Sequence, residues 1–271
     1  IQPEGKTCTD LRWSVRLSMH TRWIVIPCYN EVARLNMPGV LELLSEPNIG
    51  VVLVDDGSDD GTRELIYEVQ KDNSGIEILI LQNNEGKAEA VRRGMNHALT
   101  LGAEVIGYLD ADFATPPYDM LGLFRELDLR DVRVCLGSRW LHLGAEIDRS
   151  PFRHYGGRLF ATVASAVLKI SVYDTQCGAK VFRVSDNLVR TLSEPFLSRW
   201  AFDVELIGRL LNDPVVGAGY SDKDFVEVPL QRWRDIKGSK IGILDMVIAT
   251  FELLFIKRAL SVWARGEVKS P

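Results

Sequence analysis

Val105-Ile-Gly-Tyr-Leu-Asp-Ala-Asp-Phe-Ala-Thr-Pro-Pro117 is a run of strand-forming residues that stops at two carboxylates one residue apart, followed by a double proline. The prolines prevent the strand from continuing. Side chains alternate along a strand, so Asp110 and Asp112 point the same way if extended geometry persists to Asp112. Two like charges held together are unfavourable unless a cation or a donor network offsets their repulsion. Two readings follow from the stretch alone: an acidic turn at a strand end, or a metal site.

Upstream, the same grammar repeats. Trp23-Ile-Val-Ile-Pro27 is a β-branched strand stopped by proline, and Cys28-Tyr-Asn-Glu31 is its turn. Gly50-Val-Val-Leu-Val-Asp-Asp56 is a continuous apolar run ending in acid, as expected of a strand buried on both faces of a parallel sheet. Further strands are predicted over Ile76–Leu81, Val105–Asp110 and Val132–Gly137, with helices over Val40–Leu44, Arg63–Lys71, Glu85–Leu99 and Tyr118–Leu127. Alternation of this kind predicts a right-handed, mostly parallel α/β sheet flanked by helices. Ligands of such sheets bind outside the carboxyl ends of the strands, where the turns after Pro27, Val54 and Leu109 fall.

The rhythm changes after Arg139. Residues 140–152 read as a loop, Gly157–Leu168 as a helix, Thr175–Val184 as a strand, Arg199–Leu211 as a helix, Phe225–Leu230 as a strand and Ile241–Val262 as a long apolar-rich helix. The expected organisation is an N-terminal extension (1–22), a main domain over 23–240 with halves of about 23–139 and 140–240, and a C-terminal amphipathic helix and tail (241–271).

Composition places the chain among soluble globular proteins, with 46% apolar and 25% charged residues over 271 positions. A net charge of -5 argues against a general nucleic-acid binder, which needs a basic face. Cys8, Cys28, Cys135 and Cys177 form no Cys-x-x-Cys pair and read as small buried thiols of a reducing compartment. His97, His142 and His154 show no metal spacing. No uncharged apolar run approaches the roughly 20 residues that a membrane span needs. Neither G-x-G-x-x-G after the first strand nor G-x-x-x-x-G-K-[ST] occurs, which argues against dinucleotide enzymes and P-loop NTPases.

Ile26-Pro-Cys-Tyr-Asn-Glu31, Val54-Asp-Asp-Gly-Ser-Asp-Asp-Gly-Thr62, Asn84-Glu-Gly-Lys87 and Asp110-Ala111-Asp112 stand in the order and spacing of family 2 glycosyltransferases of the GT-A fold, which this chain resembles. Gly137-Ser-Arg139, Asp174-Thr-Gln-Cys-Gly178, Lys180-Val-Phe182, Arg199-Trp-Ala-Phe-Asp-Val-Glu205 and Gly238-Ser-Lys240 look like the polyprenyl-phosphate branch, most similar to dolichyl-phosphate β-glucosyltransferases. The resemblance implies an inverting transferase that moves a hexose from a UDP-sugar to a polyprenyl phosphate. A GDP-mannose donor, a soluble saccharide acceptor and a noncatalytic nucleotide-sugar-binding scaffold are the alternatives.

The resemblance also implies roles. Pro27, Tyr29, Asn30 and Glu31 resemble base and ribose contacts, and Asp56 the acid that meets the base. Lys87 occupies the donor site, though an exposed lysine in a first helical turn is the plain alternative. Asp112 is implied as the direct ligand of Mg²⁺ or Mn²⁺, with Asp110 nearer ribose or a metal-bound water; both carboxylates suit a hard cation. Ala114 stands where relatives often carry Gln. Arg139, Arg153, Arg234 and Lys240 are candidates for an anionic acceptor, since a guanidinium fork suits a phosphate. Asp174 and Gln176 are candidates to orient the acceptor loop or sugar. Asp203 reads first as an acceptor-site or structural acid and only second as a catalytic base, because a phosphate acceptor is already anionic and needs no strong base. Ser58 and Asp59 read as turn formers and helix N-caps, Arg92 and Arg93 as solvated helix residues.

A polyprenyl substrate is met at a bilayer. The apolar helix beginning at Ile241, flanked by Lys237, Lys240, Lys257, Arg258 and Arg265, therefore reads as a membrane-surface helix. An ordinary core helix or a homo-oligomer interface is the other reading. The expected location is cytoplasmic, peripheral at the cytosolic face of a membrane.

Overall fold

The computed structural model describes residues 20–148, 151–234 and 243–266, with the side chains of 148, 151–155 and 243–250 outside the description. The first half runs β1 (Arg22–Cys28), α1 (Met37–Leu44), β2 (Ile49–Asp56), α2 (Thr62–Lys71), β3 (Ile76–Leu81), α3 (Lys87–Thr100), β4 (Val105–Leu109), α4 (Pro117–Leu129) and β5 (Val134–Ser138). There follow β6 (Glu146–Asp148), α5 (Pro151–Leu168), β7 (Ala179–Arg183), α6 (Asp186–Ser193), α7 (Phe202–Leu211), β8 (Phe225–Pro229), β9 (Arg232–Arg234) and α8 (Ile243–Trp263).

One seven-stranded sheet, in the order β3-β2-β1-β4-β7-β5-β8, carries the fold. The β1–β2, β2–β3, β1–β4 and β5–β8 pairs are parallel, whereas β7 runs antiparallel between β4 and β5. The sheet is thus mixed at that one strand, and β4 and β5 are not neighbours. Strand order reverses at β1 and β4, which opens a crevice beyond their carboxyl ends. Beside it, β6 and β9 form a short parallel ribbon.

Alternation along each strand feeds two cores. Trp23, Val25, Val52, Val54, Ile106, Tyr108 and Phe182 face one layer, closed by α3, α5, α6, α7 and α8. Ile24, Ile26, Val51, Leu53, Leu109 and Val181 face the other, closed by α1, α2 and α4. Each fully buried Ile, Leu or Phe contributes about 1.5–3 kcal/mol by leaving water, so a one-residue slip in register is heavily penalised. Close approach depends on two glycines. A Cβ at Gly94 would meet Val25 at 2.3 Å, and one at Gly50 would meet the Trp23 ring at 2.5 Å.

Several boundaries differ from expectation for physical reasons. The strand predicted over Thr175–Val184 starts only at Ala179, because Asp174 caps a turn by accepting from Gln176 N at 3.2 Å. Helix α7 starts at Phe202 rather than Arg199, since Ser198 Oγ accepts from Trp200 N (3.2 Å) and Ala201 N (2.7 Å) and holds those residues in a turn. Helix α5 starts at Pro151, and α6 was not foreseen; its Ser185 cap, which accepts from Leu188 N, is the signal that marks it. Gly61, not Ser58 or Asp59, is the N-cap of α2. Arg92 is also corrected: its side chain is 13% exposed and donates to Leu192 O at 2.8 Å, tying α3 to the end of α6. Arg93 is exposed and pairs with Glu85 and Glu89.

Helix α8 buries Leu253, Ile256, Leu260 and Trp263 against α5 and α7 and exposes Phe251, Leu254 and Phe255. Among the described residues no helix is long and apolar enough to cross a membrane.

Cys28, Cys135 and Cys177 are buried free thiols. Burial pushes Cys28 far above the usual thiol range, Cys135 up to about 12 and Cys177 up to about 11. Iodoacetamide at about pH 8 is expected to leave all three unmodified in the folded protein and to alkylate them in urea, because the thiolate is the reactive form. Peptide mass spectrometry reads the outcome, and native-state alkylation of any of them would refute this packing.

Candidate active site

The turns after β1 and β2 are knitted by short polar side chains. Asn30, with φ of 54°, donates its N–H to Ser58 Oγ at 3.0 Å, and its Oδ1 accepts from Asp59 N at 3.0 Å. Glu31 N donates to Thr62 Oγ1 at 2.8 Å, and Val32 N to Asp60 Oδ2 at 3.1 Å. Ser58 and Asp59 therefore brace the neighbouring turn. Pro27 and Tyr29 are half-buried on the same rim. The Glu31 carboxylate is held by Arg34 through Nε (2.8 Å) and the terminal nitrogen (2.5 Å).

At the end of β2, Asp55 is fully buried and holds Arg63 Nε at 2.9 Å. Asp56, 2% exposed, accepts from Glu85 N and Gly86 N at 2.8 Å each, one amide per oxygen. Burial raises its carboxyl above the usual range, and those two amides work against the rise. Gly57 lets the chain turn here: a Cβ would lie 2.6 Å from the Asn83 backbone. Asp56 thus shapes the loop that opens α3, and Gly86, with φ of 97°, delivers Lys87 into the crevice.

Lys87 Nζ lies 2.6 Å from Asp110 Oδ1. Burial alone would lower the ammonium, but Asp110, Asp203 and Asp112 more than offset it and raise its pKa. Strand β4 stops at Leu109, and the chain turns at Asp110–Phe113, with Phe113 N donating to Asp110 O at 3.1 Å and φ of 52° at Phe113. The extended geometry that would align Asp110 with Asp112 therefore does not persist; a tight turn gathers them instead. Asp112 accepts from Ala114 N at 3.0 Å, and its carboxyl is raised first by burial and next by Asp110. Ala111 and Ala114 are buried in the core, and the Ala114 carbonyl accepts from Arg234 N at 3.3 Å.

Asp110 also leans on the second half of the chain. Its N–H donates to Gly178 O at 3.0 Å, and a Cβ at Gly178 would lie 2.1 Å from Asp110 Oδ2. The Asp174–Gly178 stretch is thus a wall of the same corner. At its other end Asp174 grips Arg139 at Nε (2.6 Å), the terminal nitrogen (2.7 Å) and the backbone N–H (3.1 Å). Asp174 holds the Arg139 guanidinium charged well beyond its usual range, against the opposing effect of burial. Glu227 fixes this turn by accepting from Tyr173 N (2.7 Å) and Asp174 N (2.8 Å). Ser138 Oγ, Thr175 Oγ1 and Gln176 Nε2 are buried here without a partner among the described residues, polar atoms that a bound ligand would satisfy.

Beneath the corner lies a pairing that the sequence does not reveal, between Asp203 and Lys180. Asp203 is 4% exposed; its Oδ1 accepts from the Tyr108 hydroxyl and lies 2.8 Å from Lys180 Nζ. Burial pushes the Asp203 carboxyl up to about 8 and the Lys180 ammonium down to about 8. Its oxygen is committed to the core, a placement that fits the structural role better than that of a base. The available signal was a lysine inside the apolar strand Ala179-Lys-Val-Phe-Arg183. Arg234 is exposed on β9, Arg153 lies in the first turn of α5 with its side chain outside the description, and Lys240 lies outside the described residues.

Among the described residues no group of three or more His, Cys, Asp or Glu converges on one point. Asp110 and Asp112 are a pair of hard oxygen donors, a donor set that fits Mg²⁺ or Mn²⁺ completed by phosphate and water rather than a protein cage.

Comparison with known proteins agrees with this geometry. Residues 23–188 match the profile of glycosyl transferase family 2. The chain is 30% identical over 239 residues to the dolichyl-phosphate beta-glucosyltransferase of Dictyostelium discoideum, covering 80% of this chain and 68% of that one. It is 33% identical over 238 residues to the enzyme of the same name from Mus musculus, with the same coverage of 80% and 68%. Glucosyl-3-phosphoglycerate synthase from Mycobacterium tuberculosis, solved with Mn²⁺, UDP and glucosyl-3-phosphoglycerate, shares the fold with a TM-score of 0.60 at 17% identity, over 93% of this chain and 82% of that one.

Asp56→Ala leaves two half-buried amides without their acceptor. It is expected to cost about 3 kcal/mol and lower Tm by about 6–12 °C, read by calorimetry. An unchanged Tm would show that Asp56 does not brace the 83–86 loop.

Proposed function

We propose, from the premise that the chain belongs to glycosyl transferase family 2 and is a glycosyltransferase, that it transfers a hexose, glucose first among candidates, from a UDP-sugar to dolichyl or another polyprenyl phosphate with inversion at the anomeric carbon. The observation that carries this reading is the corner where Lys87, Asp110, Asp112 and the wall at Gly178 meet beyond the carboxyl ends of β1 and β4. The relatives' shared name supplies the sugar and the lipid class.

On this reading the acceptor phosphate oxygen attacks the anomeric carbon while the bond to the UDP oxygen breaks on the opposite face. The acceptor arrives anionic, so no side chain has to take a proton, which accords with an Asp203 committed to Lys180 and Tyr108. Asp112 and Asp110 would hold Mg²⁺ or Mn²⁺, which supplies positive charge to the departing diphosphate. Lys87 places a second positive charge in the same corner. Pro27, Tyr29, Asn30 and Glu31 line the rim proposed for base and ribose, with Asn30 and Glu31 set by the Ser58 and Thr62 hydroxyls. Asp56 acts there through the loop it builds. Arg139, Asp174 and Gln176 form the acceptor side; the Gln176 amide, buried and without a partner among the described residues, supports a polar ligand at that wall. Arg153, Arg234 and Lys240 remain candidates for the lipid phosphate.

The exposed Phe251, Leu254 and Phe255 of α8, with Lys257 and Arg258 following, support peripheral contact with a membrane at its cytosolic face. The domain is read as donor half 23–139 and acceptor half 140–240 on one sheet.

Asp112→Asn is expected to reduce glucosyl transfer from UDP-glucose to a short polyprenyl phosphate by about a thousandfold or more while Tm holds, because it removes charge stabilisation of the leaving group. Near-normal metal-dependent turnover by that variant would sink the assignment. A donor screen with Mn²⁺, followed by product mass, separates UDP-glucose from GDP-mannose. Gly178→Ala is expected to lower kcat by about a hundredfold through displacement of Asp110 alone. Full activity in this variant would show that the wall does not set the Asp110 carboxylate.

A further inference from the structure

We infer that Lys180 is a positioning residue for the proposed transfer: its ammonium pins the Asp174–Gly178 wall from beneath and so holds Asp110 and Arg139 in register with each other. The inference rests on the reading of the site given above. Lys180 is fully buried on β7, with Nζ 2.5 Å from Cys177 O and 2.8 Å from Asp203 Oδ1. The β4–β7 register sets Tyr108 directly opposite Lys180, so both side chains project to the same face of the sheet. There the Tyr108 hydroxyl donates to the Asp203 oxygen that Lys180 also meets.

The wall is short, and its ends perform different tasks. Asp174 clamps Arg139 at one end, while Gly178 abuts the Asp110 carboxylate at the other. Glu227 secures the Asp174 end through two backbone amides. At the Gly178 end the ties are Asp110 N to Gly178 O and Lys180 Nζ to Cys177 O. The first of these moves with Asp110 itself. The Lys180 contact is different, because Asp203 on α7 anchors it in the core. An apolar side chain at 180 would fill the volume but leave the Cys177 carbonyl without this donor. A shift of about 1 Å at a catalytic constellation is enough to cost about a hundredfold in rate.

Lys180→Met and Tyr108→Phe separate this role from general core stability. Both remove a donor from Asp203, but only the first releases the wall. Hydrogen–deuterium exchange of the 175–178 amides, run on the protein without ligands, is expected to accelerate about tenfold or more in Lys180→Met and to stay near wild type in Tyr108→Phe. With UDP-glucose and polyprenyl phosphate, Lys180→Met is expected to lose about 10–100-fold in kcat with donor KM within about threefold. Tyr108→Phe keeps kcat within about threefold while its Tm falls. Unchanged exchange at 175–178, or equal kcat losses in the two variants, overturns the inference. If Lys180→Met does not fold, Lys180→Gln, whose shorter amide carries no charge for Asp203, takes the same measurements with the same expected and overturning outcomes. A wild-type protein that transfers no sugar would refute the function proposed above, and the exchange comparison would still decide whether Lys180 holds the wall.

Discussion

Two carboxylates, Asp110 and Asp112, are held within one turn at the end of a buried strand, and their repulsion is the constraint on which the site is built. Burial of Asp112 and the nearness of Asp110 both disfavour its ionised form. Positive charge must therefore be brought to them, and the chain does so by backbone design. Asp56 captures the amides of Glu85 and Gly86, and the left-handed Gly86 then aims Lys87 at Asp110. Arg34, already paired with Glu31, adds a more distant favourable charge at Asp112. Removing the β2 acid would thus perturb a β4 acid that it never touches.

The antiparallel strand β7 couples the halves. By running between β4 and β5, it brings the loop that precedes it to the carboxyl edge of both. One five-residue stretch can therefore touch Asp110 after β4 and Arg139 after β5. With β4 directly beside β5, no stretch of the second half would run between those two residues and touch both.

Much of this was legible in the residues. Apolar, β-branched runs, most of them closed by proline or acid, located the first five strands to within two residues at either end, because burial on both faces leaves little else a strand can be. The strand-end turns that carry the family motifs all reach the predicted edge. What the sequence concealed was pairing. Asp174 reads as a residue that orients a loop or sugar, but nothing in the sequence says that Arg139 is what it grips; Asp56 reads as a base contact, but nothing says that both its oxygens meet loop amides. Such partners lie 29 to 35 residues away in the chain, beyond the reach of any local pattern. Lys180 was hidden for the opposite reason: a lysine in a strand reads as exposed, and only Asp203 from another element permits its burial.

The pairings lead to a statement about charge. At rest the corner is balanced two by two: Lys87 with Asp110, Arg139 with Asp174 and Arg34 with Glu31. Among the described residues Asp112 alone in this group has no ion-pair partner. A sugar nucleotide brings two diphosphate charges and a divalent cation brings two of opposite sign, so together they enter nearly neutral. On the proposed reading Asp112 is then the one group that gains an opposite charge outright, while every existing pair can stay intact. Binding need not break a buried ion pair, which would expose an uncompensated charge at high cost. Negative charge that develops on the diphosphate as the sugar leaves is met by a field already in place, and a preset field of that kind stabilises a transition state without reorganisation at the moment of reaction.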